Sequence, residues 1–341
     1  MRSVYKAVSA LIILLMLFNA SVFSAENSGG STNNRIYEAA AKRLVALGVL
    51  SNHDINSEPQ NYITKAEFVV MLLKTINMQD FDNGYSNFED VGRDHWASKQ
   101  IKIACDIGIV KKGDNEKFEP DSGITYEEAI KMCVILLNYE QIAEGQGGYP
   151  YGYISVALKE KITKNISVKY SGAMLKEDAV ILINNILEVP MAVKSKYNDS
   201  YVKSGTNGTT EVTLLKSYLK FHKVKVKIIS SDYKKLTLDV YEGKGYTKYQ
   251  KYYVAETVDI RAAAGYATIY VHEDDELVYY ISQDDDSAII YDYIDGVNND
   301  YSVDSEYYAE QIETIHLKNT NQEYYLDDAV IYFNDKPIQG K

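Results

Sequence analysis

The chain has 341 residues with 36 Lys and Arg against 48 Asp and Glu, and its net charge of −12 disfavours non-specific binding to nucleic acid. Two cysteines in that length exclude a disulfide-stapled scaffold and a cysteine-rich metal site. The five histidines (His53, His95, His222, His272 and His316) show neither H-x-x-H nor H-E-x-x-H spacing, so neither a metal nor a cofactor is expected.

The length allows two or three domains. Residues 1–25 read as a secretory signal peptide. Arg2 and Lys6 supply the positive start, Ala7 to Phe18 the apolar run, and Ser24 and Ala25 the small residues at a cleavage point. An uncleaved N-terminal anchor is the alternative. No later segment has 18 consecutive apolar residues, so an exported, soluble chain without a transmembrane anchor is expected. A polar linker over 26–34 follows. Tyr37, Ala40, Leu44 and Leu47 then recur at helical spacing up to Gly48, a left-handed cap.

One phrase organises what comes next. Ile63-Thr64-Lys65-Ala66-Glu67-Phe68 returns as Ile124-Thr125-Tyr126-Glu127-Glu128-Ala129, and in worn form as Met174-Leu175-Lys176-Glu177-Asp178-Ala179. In the first two copies Thr is followed three residues later by Glu before an apolar run. That is a capping box, in which the Thr hydroxyl and the Glu carboxylate each accept a backbone N–H of the helix start. Such caps contribute about 0.5–2 kcal/mol each. The residue after each Thr does not cap, projects from the first turn, and is the exposed position where a ligand would be met.

The copies stand 61 and 50 residues apart, counted Thr64 to Thr125 and Thr125 to Leu175, which is repeat spacing. Gly48 precedes Thr64 by sixteen residues and Gly108 precedes Thr125 by seventeen. The second copy is the fullest. Phe88-Glu89-Asp90-Val91 leads to Asp94-His95-Trp96-Ala97, with Asp94 as N-cap, and a helix carries Ile101, Ala104 and Ile107 to Gly108. Cys105 and Cys133 fall on its apolar positions as small buried residues, or as one disulfide. Trp96 at a helix start reads as a core anchor, and Asp90 as the residue fixing the turn. In the third copy Lys161 replaces the capping Gly and Leu175 the capping Thr, so this unit should be the least stable. Helix–loop–helix units of this size cannot bury a core alone, so three should pack on one another. The repeats divide as 35–80, 81–142 and 143–191.

F-x-D-V with H-W-A, a G-I-V turn, a loop ending F-x-P and I-T-x-x-E resemble the S-layer homology repeat over residues 35–191, most clearly in the second copy. The Gly147-Gly148-Tyr149-Pro150 opening is similar to the third repeat of many such proteins. The resemblance implies a pseudo-threefold helical bundle bound to a pyruvylated secondary cell-wall polysaccharide, on a Gram-positive type of cell surface. The family phrase is Thr-Arg-Ala-Glu, whose Arg lines the inter-repeat groove and meets the ligand carboxylate, with the Asp and Trp of F-x-D…W nearby. By that resemblance the polymer-binding residues are Lys65, Asp90, Trp96, Tyr126 and Lys176. All three arginines are replaced here. Lysine keeps the charge but not the bidentate fork. Tyrosine keeps a stacking face and one donor.

From Met191 the helical period fades. Residues 192–210, rich in Ser, Gly, Asn and Thr, read as a linker, and a short helix is possible at Val212 to Leu219. Residues 211–341 form a β-rich domain. Its β-branched and Tyr-rich runs are Val224 to Ile229, Leu236 to Tyr241, Tyr249 to Val254, Ala267 to Val271, Leu277 to Ile281, Ala288 to Tyr293, Tyr307 to Leu317 and Ala329 to Phe333. Their period-two alternation predicts an antiparallel sandwich or barrel, giving an α+β multidomain chain. Of 31 tyrosines, 21 lie after residue 196, and cross-strand packing is their first explanation, sugar contact the second. The Asp clusters read as solvated turns rather than calcium loops, because Asp300 stands where such a loop needs Gly.

Residues 192–251 carry 13 Lys and 5 Asp/Glu, whereas residues 252–341 carry 4 Lys/Arg and 20 Asp/Glu. That asymmetry either pairs within one sheet or draws neighbouring molecules into a surface array. The β half lacks G-x-S-x-G and any Cys/His pair. The expectation is a non-catalytic, wall-bound surface protein displaying a Tyr-rich β domain. The alternatives are a tethered carbohydrate-binding or adhesin module and an anchored glycoside hydrolase.

Overall fold

A computed structural model describes residues 28–51, 59–111, 117–197, 200–206, 209–232, 235–242, 246–260, 263, 265–283, 294–300, 312–317, 322–325, 331–333 and 336–338. The expected signal peptide, the Asp284–Asp286 turn and the Ala288–Tyr293 strand lie outside these residues. The chain divides into two compact units, Met1–Lys220 and Phe221–Lys341.

The first unit contains helices α1 (Ser28–Ala46), α2 (Lys65–Lys74), α3 (Ser98–Asp106), α4 (Tyr126–Leu136), α5 (Glu140–Gly145), α6 (Tyr151–Lys159) and α7 (Lys176–Ile186). Helix α1 starts nine residues before Tyr37, its first buried side chain, inside the stretch expected to be a linker. Once the Tyr37–Leu44 stripe is buried, adding polar residues to an existing helix costs little. Gly48 and Gly108 are left-handed as their capping role requires, at φ 76° and 81°, and Lys161 is forced into the same region at φ 57°.

The sequence copies are not the packing units. Helix α3 packs on α2, α6 on α4, and α1 on α7. The first helix of each copy therefore lies against the second helix of the copy before it, and α1 closes the circle. At that closing joint Arg43 donates to Asn184 Oδ1 at 3.3 Å and pairs with Glu188.

A ring of backbone hydrogen bonds ties the three second helices together just before they begin. Ile63 N–H donates to Met174 O (3.0 Å), Ile124 N–H to Ile63 O (3.0 Å) and Met174 N–H to Ile124 O (2.8 Å). The first N–H of each helix then donates to the loop of its neighbour: Lys65 to Ser122 O, Tyr126 to Gly172 O and Lys176 to Asn61 O. These donors have no intrahelical partner, so the ring satisfies groups that every helix start leaves open. Ile63, Ile124 and Met174 are buried on one face of the ring. Tyr62, Gly123 and Ala173 meet on the other, so closely that a Cβ on Gly123 would lie 3.2 Å from that of Ala173.

Residues 192–220 belong to this unit rather than to a linker and a β domain. Strands β1 (Ala192–Lys194) and β2 (Tyr201–Lys203) form a hairpin, and α8 (Leu214–Ser217) is capped by Thr213. Ala192 N–H donates to Leu137 O, Met191 N–H to Val212 O and Leu215 N–H to Leu187 O. The polar composition of this stretch hid Ala192, Leu214, Leu215 and Leu219, whose burial fixes it to the helices. Cys105 and Cys133 are both free, and Cys133 is buried.

The second unit is built on β3 (Phe221–Asp232), β4 (Lys235–Glu242), β5 (Tyr246–Val254), β6 (Gly265–His272) and β7 (Leu277–Gln283). Their pairings run β3-β4-β5-β7-β6 and return to β3, curling the sheet on itself. Val226, Ile228, Val254, Ala267, Ile269, Val271 and Val278 fill its interior, joined by Ile260 and Ala263 from the β5–β6 connection. The sheet is mixed, not antiparallel: Tyr253 and Val254 of β5 pair in parallel with Leu277 and Val278 of β7. Alternation is the same in both arrangements, so the sequence could not separate them. Strands β8 (Ile294–Asp300), β9 (Ile312–Leu317) and β10 (Gln322–Tyr325) form a further sheet, and β11 (Ile331–Phe333) pairs with β12 (Lys336–Ile338). Asp295 to Asp300 is thus strand rather than the first part of a calcium loop.

Candidate functional site

The starts of α2, α4 and α7 converge on the backbone ring. Both expected capping boxes are present: Thr64 Oγ1 accepts from Glu67 N–H and Thr125 Oγ1 from Glu128 N–H, at 3.1 and 3.2 Å. Leu175 offers no such cap to α7.

Each first-position side chain reaches the acid at the third helical position of the next copy. Lys65 Nζ lies 3.2 Å from Glu128 Oε1, Lys176 Nζ lies 3.2 Å from Glu67 Oε1, and Tyr126 OH donates to Asp178 Oδ2. Glu67 and Glu128 therefore serve twice, taking their own Thr N–H on Oε2 and a neighbour's lysine on Oε1. These acids were legible as caps, but only the closed ring shows that they also receive the adjoining copy. Tyr126 is not the exposed residue the repeat pattern predicts. It is fully buried, because its ring is apolar enough to enter the seam while its hydroxyl finds Asp178. Burial, then Asp178, pushes the Tyr126 phenol well above its ordinary value, and burial also raises Asp178 against the pull of that hydrogen bond.

The seam at Lys65 is the most elaborate. Asp90 holds the 117–122 loop by accepting Phe118 N–H on Oδ1 (2.8 Å) and Glu119 N–H on Oδ2 (2.6 Å). Burial opposes its ionisation, but these bonds prevail and keep its carboxyl below the usual range. The loop in turn delivers Glu119 to Lys65 Nζ at 3.2 Å. His95 Nε2 stands 3.4 Å from Asp121 Oδ1 and its ring lies 5.8 Å from that of Trp96. Trp96 is 59% exposed, not a core anchor, and Asp94 caps nothing, since α3 begins only at Ser98 behind Ala97. The residues expected to anchor and cap instead form a surface shelf beside the loop. The Lys65 side chain is only 15% exposed. Burial alone would lower its pKa, but Glu128 and Glu119 outweigh it and hold the ammonium above its ordinary value.

The other two seams differ. At Tyr126, Glu127 Oε1 accepts Ser171 N–H at 2.6 Å, and Lys131 Nζ lies 4.9 Å over the Tyr149 ring. At Lys176, Gln60 donates to Glu177 Oε2 at 2.7 Å. The structure thus brings Lys65 and Asp90 to one loop with Trp96 beside it, and distributes Tyr126 and Lys176 to separate junctions. Among the described residues no cluster of His, Cys, Asp and Glu is suited to a metal ion.

The S-layer homology domain matches residues 87–130, which hold Asp90, Trp96, the 117–122 loop and the second capping box. Residues 87–130 thus resemble an S-layer homology domain. The chain is 24% identical over 207 residues to a cell surface protein of Thermoanaerobacter kivui, covering 58% of this chain and 26% of that protein. It is 27% identical over 231 residues to the middle cell wall protein of Brevibacillus brevis, covering 64% and 21%. An amylopullulanase of Thermoanaerobacterium thermosulfurigenes is 30% identical over 135 residues, 37% of this chain but 7% of the enzyme. The chain spans a quarter or less of the length of most of the curated relatives it matches, and 26% at most among these three. Together the S-layer homology domain and these surface relatives mark an exported cell-surface protein. Among the described residues no helix is long and apolar enough to cross a membrane.

Proposed function

We propose that the helical unit is a set of three S-layer homology repeats in pseudo-threefold arrangement. It anchors the protein to a secondary cell-wall polysaccharide, and the second unit is a displayed, non-catalytic β-barrel domain. The observation that carries this reading is the cyclic reach of Lys65, Tyr126 and Lys176 into the next copy, which sets all three at inter-repeat seams. Of those three residues only Lys65 and Lys176 are cations. The Lys65 seam adds an exposed indole and a loop braced by Asp90, so it is the principal site for a pyruvylated sugar. The ligand carboxylate takes the place of Glu119, whose exposed ion pair contributes about 1 kcal/mol or less. Trp96 offers a face to the sugar ring. Tyr126 has spent its one donor on Asp178, and its seam binds no carboxylate.

The matched enzyme shares only a small part of its length with this chain, which fits a common anchoring module rather than a common activity. The opposite charges of residues 192–251 and 252–341 support self-association into a surface array.

The test uses residues 26–220 with purified sacculi. The fragment should co-sediment with sacculi that retain the secondary polymer and stay in solution with stripped ones. A fragment left in the supernatant in both cases would end the anchoring reading.

A further inference from the structure

We propose that the curled sheet of the second unit carries an oligosaccharide-binding cleft centred on Tyr253, separate from any wall attachment. Numbered within the sheet, β3, β4, β5, β6 and β7 are strands one to five. Their order is one-two-three-five-four and back to one, and the third and fifth strands are parallel. That is the order of the partly open five-stranded barrel known as the OB-fold, which binds oligosaccharides or oligonucleotides across strands two and three, between the one-two and four-five turns. The connection from strand three to four, where such barrels carry a plug, here sends Ile260 and Ala263 into the core.

Strand order alone does not assign function, but the side chains at the corresponding place do point to a ligand. Tyr253 pairs with Lys235, the first residue after the one-two turn, and with Leu277, the first after the four-five turn. It therefore lies on the strip between those turns, and it is 53% exposed while its neighbour Tyr252 packs on the core. Lys235 Nζ stands 5.2 Å from the centre of its ring, and Lys251, two residues earlier on the same strand face, is exposed. The opposite turn is braced by Asp275, which accepts Leu277 N–H at 3.0 Å and Tyr279 OH at 2.7 Å. Glu273, Asp274 and Glu276 are left exposed along it. A ring to stack on, ammonium donors on one side and carboxylate acceptors on the other suit a polyhydroxylated sugar. The acidic turn and the net charge of −12 oppose a nucleic-acid backbone.

The full chain is titrated calorimetrically with the β-1,4-linked N-acetylglucosamine tetramer, the β-1,4-linked glucose tetramer and a dT12 oligonucleotide. At least one tetramer should bind, and Tyr253→Ala should weaken it about tenfold, the scale of one lost aromatic contact. Tyr253→Phe should bind as the native chain does, and so should Lys65→Ala, which separates this cleft from the wall site. On the native chain, saturation-transfer NMR should place sugar C–H protons against tyrosine ring protons, a readout that needs no variant to fold. Failure of both tetramers to bind, unchanged affinity in Tyr253→Ala, or binding of dT12 alone would each overturn the proposal.

Discussion

Tyr126→Ala should destabilise the helical unit by about 3–5 kcal/mol, the range for deleting a large buried aromatic ring. Tyr126 is fully buried at the seam between the second and third copies, and its hydroxyl donates to Asp178 there. Tyr126→Phe keeps the ring and removes only that donor, so about 1–3 kcal/mol of the loss should remain, the cost of leaving a buried polar group unsatisfied. Urea denaturation read by linear extrapolation separates the two variants. The pH dependence follows from the raised phenol. A folded value above the unfolded one favours the protonated form, so its contribution is intact below about pH 10 and declines as pH rises toward the folded value. Tyr126→Phe should abolish that alkaline decline. Asp178 is raised as well, so its stabilising effect belongs to acid conditions and fades as pH rises from about 4 through its folded value. Equal stability of native and Tyr126→Phe chains at neutral pH would show the seam hydrogen bond to be inert.

The capping boxes and the apolar stripe of α1 were legible because they depend on residues three or four apart. The partners of Lys65, Tyr126 and Lys176 were not, since each lies in another copy and becomes a neighbour only after α1 closes on α7. The same limit explains Tyr126 and Trp96. A tyrosine at a polar repeat position is buried and a tryptophan at an apolar-looking one is exposed, because their surroundings come from distant loops. In the β unit, alternation located β3 to β7 but was blind to the parallel pair that sets the strand order.

Lys65→Ala should weaken binding of the secondary polymer by more than tenfold, or about 1.4 kcal/mol or more. It removes the cation of the one seam that also has the Asp90-braced loop and exposed Trp96. Lys65→Arg keeps the charge and adds a planar fork, so it should bind at least as well as the native chain. Lys176→Ala should lose less, and Tyr126→Phe should bind normally wherever it remains folded. Because Glu128 and Glu119 hold the Lys65 ammonium above its ordinary value, the site should stay charged up to about pH 10. The ion pair's stabilisation is likewise present below that range and lost as pH rises through the elevated value.

The most direct measurement titrates the full chain with secondary polymer released from the wall, once intact and once with its pyruvate groups removed. Recognition of the sugar's carboxylate by Lys65 predicts that depyruvylation costs about as much as Lys65→Ala, and that it adds little when Lys65 is already gone. Equal affinity of the native chain for both forms of the polymer would contradict it.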